Sequence, residues 1–228
     1  MSKKLKKRVF TSAILLSILI IFNFTKFFMV GVFIAVLFIC IEFSELLAKV
    51  VGPGLVKHHR YSSYPEKLNF KYLTLQILII FYVLIIFGGT SMELHGRSGS
   101  PVFFLFILSI CFFSDIGGYI IGKLIGGKKL TKISPNKTIS GSIGSFIFSL
   151  IPLLLFNYDL ILKNLLFCLL VSFSCQLGDL IISYFKRLNR VKDTGNILPG
   201  HGGLLDRFDG IIFAIPTIYI LKNYFGIF

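Results

Sequence analysis

The sequence predicts an all-α, polytopic integral membrane protein with about seven transmembrane helices. Of its 228 residues, 55% are hydrophobic and only 15% are charged, and the mean hydropathy is +0.84. The apolar residues form long runs that lack the strand alternation expected of a membrane barrel. The formal net charge is nevertheless +14, from 24 Lys and Arg against 10 Asp and Glu. This composition excludes a disordered chain and a disulfide scaffold and disfavours an ordinary soluble domain.

Seven apolar segments carry the helix prediction. A bilayer core of about 30 Å needs about 20 helical residues, and a helix satisfies its own backbone hydrogen bonds in lipid. The segments are residues 9–24, 27–47, 71–90, 101–121, 139–156, 160–185 and 211–225. The first follows the basic stretch MSKKLKKR, as in a secretory signal, but no small-residue cleavage pattern comes after it. We therefore expect it to remain as the first membrane helix.

The basic residues indicate the orientation of the chain. With a cytoplasmic N-terminus and seven crossings, 20 of the 24 Lys and Arg fall in four cytoplasmic segments, five in each. The opposite side receives only Lys26, Arg97, Lys163 and Lys222. This bias follows the positive-inside rule and supports both the seven crossings and the cytoplasmic N-terminus. We expect a multi-pass protein in the inner membrane of a bacterium, with its site on the cytoplasmic side. We expect no nucleic-acid partner, because the basic residues are divided among four juxtamembrane segments.

Acidic residues within apolar segments are candidate functional residues, because a charge in the membrane is costly. Glu42 and Glu45 lie near the inner end of the second segment and are interpreted as an interfacial helix end. Asp115 is deeper, since its distance from Pro101 corresponds to about 21 Å along a helix. Its carboxylate therefore needs a partner, a metal ion or a water-filled cavity.

A polar stripe follows one face of the sixth segment. Its members recur every three or four residues, which is helical spacing; they are Ser172, Gln176, Asp179, Ser183 and Lys186. Such a stripe must face protein or water. It serves either as interhelical hydrogen bonding or as a site that uses the Asp179 carboxylate near the cytoplasmic surface.

Residues 193–209, DTGNILPGHGGLLDRFD, place three Asp, one His and four Gly between two apolar segments. Asp206 and Asp209 are three residues apart, so a helical turn would place both carboxylates on one face. Mg²⁺ in proteins is held by carboxylates together with substrate phosphates and water. The glycines of this loop permit backbone amides to approach a phosphate. The alternative is a flexible turn with solvated charges.

Residues 128–141, KKLTKISPNKTISG, form a third polar constellation. Lys137 and Thr138 precede a predicted helix start, which is a favourable place for an anion. The pattern is not a P-loop, and juxtamembrane lysines on their own commonly anchor topology or contact lipid. All three constellations face the cytoplasm in the predicted topology, which indicates a site for phosphate and a divalent metal at the inner membrane surface.

Residues 183–209, SYFKRLNRVKDTGNILPGHGGLLDRFD, resemble the signature of the phosphatidate cytidylyltransferases, also called CDP-diglyceride synthetases. The pattern S-x-x-K-R-x4-K-D-x-G-x-x-x-P-x-H-G-G-x-x-D-R-x-D is met at every fixed position. The runs 114–130 and 133–145 agree with the family, and the resemblance covers most of residues 101–210. We accordingly divide the chain into N-terminal membrane helices (1–100, three spans, little family signal) and a catalytic membrane domain (101–228).

The chain departs from the family pattern at three positions. The family often has an acidic residue where this chain has Ile182. It often has Trp-Glu where this chain has Ile139 and Ser140. These departures concern substrate fit and leave the Asp set intact.

The resemblance implies transfer of CMP from CTP to phosphatidic acid, giving CDP-diacylglycerol and pyrophosphate in phospholipid biosynthesis. It implies Mg²⁺ and a second cation such as K⁺, a membrane lipid environment and a homodimer. The catalytic residues expected from it are Asp179, Asp206, Asp209, Lys192 and Asp193. The metal ligands expected are Asp179, Asp206, Asp209 and Asp115. The substrate-binding residues expected are Lys137, Thr138, Ser183, Lys186, Arg187, His201, Gly202, Gly203 and Arg207.

Other functions are compatible with a membrane protein of this kind. A CDP-alcohol phosphotransferase also uses clustered Asp, but its D-G-x-x-A-R … G-x-x-x-D-x-x-x-D spacing is missing from the sequence. A CTP-dependent lipid kinase would share the nucleotide chemistry. A transporter, with Asp115 and Asp179 along an ion path, would concentrate charge at the midplane, whereas this sequence concentrates its polar groups at one face.

Overall fold

The computed structural model describes residues 14–15, 17–51, 70–97, 99–131, 134, 137–195, 197–198 and 202–226. In these ranges the chain is helical and contains no β-strand; two isolated bridges pair Lys129 with Thr138 and Leu198 with Gly202. The α-helices are α1 (17–24), α2 (Phe28–Val51), α3 (Phe70–Phe81), α4 (Gly89–Met92), α5 (Pro101–Ile125), α6 (Ile139–Phe148), α7 (Ile151–Leu155), α8 (Leu162–Leu188), α9 (Leu205–Phe208) and α10 (Ile211–Asn223). A π-helical stretch, Tyr82–Gly88, joins α3 to α4, and a second, Glu93–Arg97, follows α4 without interruption.

Within the described residues, four helices are long and apolar enough to cross a membrane, and they match four of the predicted segments. They are Phe28–Ala48, Leu73–Gly96, Pro101–Ile125 and Leu162–Leu188. Large apolar side chains on their outer faces are exposed, among them Met29, Leu124 and Leu162. Lipid is the solvent in which such exposure carries no penalty. The all-helical fold therefore fits an integral membrane protein.

The other three predicted segments are not long helices in the described part of the chain. The segment 9–24 lies partly outside the described residues. The segment 139–156 breaks between α6 and α7, where Ser149 and Leu150 form a turn. Pro152, which has no N–H to continue the ladder from α6, lies at the start of α7. The last segment forms the 13-residue α10, so the count of seven crossings stays a prediction.

Helices α5 and α6 pack against each other through glycine faces. A methyl group added to Gly144 would lie 2.5 Å from Cβ of Ile121, and one added to Gly122 would lie 3.3 Å from Cα of Gly141. Only glycine permits backbones to approach this closely. Helix α5 begins at Pro101 with Ser100 as its N-cap, whose hydroxyl accepts a hydrogen bond from the Phe103 N–H.

Helix α10 contains Pro216, and a tyrosine from another helix compensates for it. Proline cannot donate to the carbonyl four residues earlier, which here is that of Ile212. The Tyr82 hydroxyl donates a hydrogen bond of 3.1 Å to that carbonyl. The π-helical stretch that contains Tyr82 is thus tied to α10 at the point where the helix ladder is interrupted.

The buried core lies where α5, α7, α8 and α10 meet. Phe106 of α5 is fully buried and stacks parallel to Phe167 of α8, with 6.3 Å between ring centroids. Tyr158 lies 4.6 Å from the same ring. Helix α2 packs against the C-terminal end of α8, where the Asn189 side-chain amide donates to the Leu46 carbonyl at 2.9 Å. This end of α8 carries the polar residues Asp179, Ser183 and Lys186.

Candidate active site

Helix α8 carries the centre of the candidate site on one face. The Ser183 hydroxyl donates to Oδ1 of Asp179 at 3.2 Å. Lys186 follows on the same face and is only 8% exposed. The helical face predicted from the spacing is confirmed. Because Lys186 lies in the last turn of α8, its charge also interacts favourably with the C-terminal end of the helix.

The other half of the stripe serves interhelical hydrogen bonding. Ser172 shares a 2.8 Å hydrogen bond with Ser114 of α5. Gln176 donates to the Ser172 hydroxyl at 3.3 Å and accepts a hydrogen bond from Ser142 of α6. These contacts link three helices inside the apolar region. The interpretation as interhelical hydrogen bonding is therefore confirmed for this half of the stripe, and the use of Asp179 in a site stays a prediction.

Asp206 lies at the centre of the loop that follows α8. Its Oδ1 accepts a 2.9 Å hydrogen bond from Lys186, and the two side chains are 5% and 10% exposed. Its Oδ2 accepts from the Thr194 N–H at 2.8 Å, the Thr194 hydroxyl at 3.1 Å and the Gly203 N–H at 2.9 Å. Donors of the chain thus contact both oxygens of Asp206, and the carboxylate organises the loop around it.

Glu42 of α2 enters the same loop from the N-terminal part of the chain. Its Oε1 accepts from the Leu204 N–H at 2.9 Å. Its Oε2 accepts from the Leu205 N–H at 2.8 Å and the Thr194 hydroxyl at 3.0 Å. The side chain is 2% exposed. The interpretation of Glu42 as an interfacial helix end is therefore wrong, whereas Glu45 is exposed, as that interpretation expects.

A local signal for the burial of Glu42 exists in the sequence. Ile39, Phe43 and Leu46 form the buried face of α2, and Glu42 lies three residues after the first and four before the last. Residues at this spacing share a helix face. Glu45 falls beside the exposed Ile41 instead. Helical periodicity alone would have separated the two glutamates.

Three further carboxylates lie within electrostatic reach of one another: Asp115 of α5, Asp179 of α8 and Asp209 after α9. Burial raises the pKa of Asp209 well above its ordinary range, and the charge of Asp179 raises it further. The Lys186 ammonium, 4.0 Å from Oδ2 of Asp209, and the Gly210 N–H act in the opposite direction. Burial and the neighbouring carboxylates therefore disfavour the ionised form of Asp209, and Lys186 favours it.

Lys137 approaches these carboxylates from the third constellation and forms an ion pair with Asp179. Two backbone hydrogen bonds hold Lys137 in this position. The Leu130 N–H donates to the Lys137 carbonyl at 2.8 Å, and the Ile139 N–H donates to the Lys128 carbonyl at 3.0 Å. Thr138 is the N-cap of α6, and its hydroxyl accepts from the Gly141 N–H at 3.1 Å. Its predicted contact with substrate stays a prediction.

Glycines of the loop leave room for the carboxylates of Asp206 and Glu42. Gly202 has a φ of 84°, and a methyl group on it would lie 2.7 Å from Oδ2 of Asp206. A methyl group on Gly195 would lie 2.9 Å from Oε1 of Glu42, and one on Gly203 would overlap Oε2 of the same residue. The predicted role of Gly202 and Gly203 in substrate binding is untested, and this packing role stands beside it.

Several predicted residues lie at the exposed edge of this cluster. Lys192, Asp193 and Arg207 are exposed, and Arg207 is close enough to Asp115 to act on its charge. Arg187 is exposed and donates to the Val191 carbonyl at 3.2 Å. His201 lies outside the described residues.

Two departures from the signature pattern have structural roles. Ile182 is fully buried in the core. The Ser140 hydroxyl hydrogen-bonds the Gly126 carbonyl and the Thr138 hydroxyl, and so connects the end of α5 with the start of α6. Ile139 is the first residue of α6.

Lysines contact the carboxylates of Asp179, Asp206 and Asp209. Backbone amides contact the last two of these. Among the described residues, no three His, Cys, Asp or Glu side chains are arranged to hold a metal ion. The donor chemistry nevertheless suits a hard cation, since Asp115, Asp179 and Asp209 are close enough to repel one another. Such a cation would have to compete with Lys137 for Asp179.

A known protein family matches almost the whole chain. The family model described as "Cytidylyltransferase family" matches residues 1–225. Proteins named phosphatidate cytidylyltransferase from Staphylococcus saprophyticus and Staphylococcus haemolyticus are each 47% identical over 132 residues. One from Staphylococcus aureus strain COL is 47% identical over 133 residues. Each match covers 55% of this chain and 50% of the relative, so the matched part spans about half the length of these proteins.

Proposed function

Because the chain belongs to the cytidylyltransferase family, we propose that it is a phosphatidate cytidylyltransferase, which transfers CMP from CTP to phosphatidic acid. One observation carries the proposal: Asp206, Asp209 and Lys186 of the signature pattern meet Asp179 and Lys137 in a single cluster. Three stretches far apart in sequence thus converge on one place that combines clustered carboxylates with lysines. The relatives named phosphatidate cytidylyltransferase support the same reaction.

In the proposed reaction, an oxygen of the phosphatidate phosphate attacks the α-phosphorus of CTP in line. The new P–O bond forms as the bond to the β-phosphate oxygen breaks, and pyrophosphate leaves with that electron pair. Such transfers depend on positioning and on neutralisation of the phosphate charge. Lys137, Lys186 and Arg207 supply the positive charge, and Lys137 would move from Asp179 to a substrate phosphate. No covalent nucleophile is needed, so Ser183 orients Asp179.

Asp179 and Asp209 are the residues that fit Mg²⁺ best, with Asp115 behind them. They supply carboxylate oxygens, the donors that Mg²⁺ prefers. Burial raises the pKa of Asp209 and the charge of Asp179 raises it further, and a divalent cation would relieve that repulsion. Bound Mg²⁺ supplies charge that polarises the phosphates and stabilises the leaving pyrophosphate. Asp206 offers a cation only Oδ1, which Lys186 contacts. A second cation such as K⁺ belongs to the same proposal, and replacing K⁺ by Na⁺ in the assay tests it.

The proposal includes seven crossings, a cytoplasmic N-terminus and a site on the cytoplasmic side of a bacterial inner membrane. It rests on the one-sided distribution of Lys and Arg. CTP is a cytoplasmic nucleotide, so a cytoplasmic site gives it direct access. A reporter active only in the cytoplasm, fused to the C-terminus, should be inactive.

A homodimer is expected as well, and its mass in detergent, corrected for bound detergent, tests it.

The experiment for the reaction class uses the purified full chain in detergent with Mg²⁺, phosphatidic acid and CTP labelled at either the α- or the γ-phosphate. We expect the α-label to appear in the lipid and the γ-label in pyrophosphate. Transfer of the γ-label to lipid would indicate a lipid kinase instead. Absence of transfer from both labels would contradict the proposal. Diacylglycerol in place of phosphatidic acid is the matched control and should give no labelled lipid.

A further inference from the structure

Glu42 links the N-terminal helix α2 to the loop that carries the signature pattern. Its two carboxylate oxygens accept three hydrogen bonds from that loop, two from the backbone of Leu204 and Leu205 and one from Thr194. The residues in these pairs are separated by between 152 and 163 positions in sequence. No other acidic side chain of α2 is buried, because Glu45 is exposed.

These hydrogen bonds are strong for a physical reason. A buried carboxylate that accepts from N–H and O–H groups forms charge-assisted hydrogen bonds, which are roughly twice as strong as neutral ones. Glu42 is 2% exposed and Leu205 is fully buried, so water cannot replace the acceptor if it is removed. Loss of the carboxylate would leave the Leu204 and Leu205 N–H groups without their partner, and the Thr194 hydroxyl would keep only Asp206.

The contacts of Glu42 lead directly to the carboxylates of the candidate site. The Thr194 hydroxyl lies 3.0 Å from Oε2 of Glu42 and 3.1 Å from Oδ2 of Asp206. Its single proton therefore lies between the two carboxylates. Leu205 immediately precedes Asp206. Asp206 in turn contacts Lys186, which lies 4.0 Å from Asp209. The position of the loop backbone is therefore transmitted to both signature aspartates.

We infer that Glu42 is a positioning residue for the reaction: it holds Thr194, Leu204 and Leu205 so that Asp206 and Asp209 meet Lys186 in the productive arrangement. This inference rests on the proposed function. Further contacts keep α2 in place against α8, since Asn189 donates to the Leu46 carbonyl at 2.9 Å and the rings of Phe43 and Phe185 lie 5.7 Å apart, edge to face.

The test compares Glu42→Gln with Glu45→Gln in the purified full chain. Each variant removes one negative charge from α2, and the two positions are three residues apart. Only Glu42→Gln removes a hydrogen-bond acceptor that contacts the loop. Hydrogen–deuterium exchange followed by mass spectrometry reports the loop without reference to activity. We expect faster exchange in peptides that cover residues 194–206 of Glu42→Gln, with α5 unchanged, and no difference in Glu45→Gln.

The kinetic arm measures kcat and KM for CTP in the same variants. Partners that orient the groups of a metal site commonly change activity by about 10–100-fold, so we expect a loss of about that size in kcat for Glu42→Gln. The KM for CTP should stay within about twofold, because Glu42 does not touch substrate. Faster loop exchange with an unchanged kcat would overturn the inference, as would unchanged exchange.

Thr194 supplies a second pair of variants that does not depend on the folding of Glu42→Gln. Thr194→Val keeps the shape of the side chain and removes the hydroxyl, whereas Thr194→Ser keeps the hydroxyl. We expect Thr194→Val to lower kcat about 3–10-fold, consistent with the loss of one charge-assisted hydrogen bond, and Thr194→Ser to restore it. Equal kcat in both variants would overturn the inference. If the wild-type chain shows no CMP transfer, the proposed function fails, and the exchange data still decide whether Glu42 holds the loop.

Discussion

Removal of the Lys186 ammonium should destabilise the protein strongly, and Lys186→Met tests this with little change in side-chain volume. Lys186 and Asp206 form a 2.9 Å ion pair whose side chains are 10% and 5% exposed. Breaking a buried pair by removing one partner costs about 3–5 kcal/mol, because the other charge stays buried without compensation. Asp209, 4.0 Å from the same ammonium, loses a neutralising charge as well.

Thermal unfolding in detergent measures the effect. For a chain of this size, 1 kcal/mol corresponds to about 2–4 °C in Tm, so Lys186→Met should lower Tm by about 6–20 °C. Lys163→Met is the matched control, since Lys163 is exposed at the other end of α8, and it should unfold within about 2 °C of the wild type. A Tm for Lys186→Met that equals the control would refute the reasoning.

The loss of Tm in Lys186→Met should depend on pH in one direction. Lys186 lowers the pKa of Asp209, which burial raises above its ordinary range, so Lys186→Met raises that pKa further. A carboxyl whose pKa is raised on folding opposes folding once it ionises, and protonation relieves this cost. The Tm difference between Lys186→Met and the wild type should therefore narrow as the buffer is made more acidic. A difference that widens towards acid would contradict the assignment.

Three further substitutions probe the helix packing that supports the site. Tyr82→Phe removes the hydrogen bond to the Ile212 carbonyl and should cost about 1 kcal/mol, read as a fall in Tm; an unchanged Tm would argue against the contact. Gly144→Val should separate α5 from α6, because its Cβ alone would lie 2.5 Å from another side chain, at a cost of about 1–3 kcal/mol. Gly89→Val, where nothing lies within 4 Å, should be tolerated far better, and equal losses would count against close packing. Thr138→Ala removes the N-cap of α6 and should cost about 1 kcal/mol, whereas Thr138→Ser should keep the wild-type Tm.

Features set by local spacing could be predicted from the sequence. The polar face of α8 follows from residues three and four positions apart, and the Ser183–Asp179 contact confirms it. The lengths of the apolar runs predicted the four long helices correctly. Helical spacing determines which side chains share a face, whatever the rest of the chain does.

Features set by distant contacts could not be predicted in this way. Glu42 reaches Leu205 across 163 positions, and no local pattern names the partner of a buried carboxylate. Tyr82 likewise reaches the Ile212 carbonyl, which Pro216 leaves open, across 130 positions. The lysine partners of Asp179 and Asp206 likewise depend on how three separate segments pack together.

The most direct test of the account is the CMP-transfer rate of Asp209→Asn beside that of Asp159→Asn. Both replace one carboxylate with an amide, but Asp209 lies in the cluster with Asp179 and Lys186, whereas Asp159 is exposed before the opposite end of α8. With α-labelled CTP, Mg²⁺ and phosphatidic acid, we predict a loss of at least about 100-fold in kcat for Asp209→Asn, corresponding to about 2.7 kcal/mol of transition-state stabilisation. Asp159→Asn should retain the wild-type rate. Equal rates in the two variants would contradict the placement of the catalytic centre at this cluster.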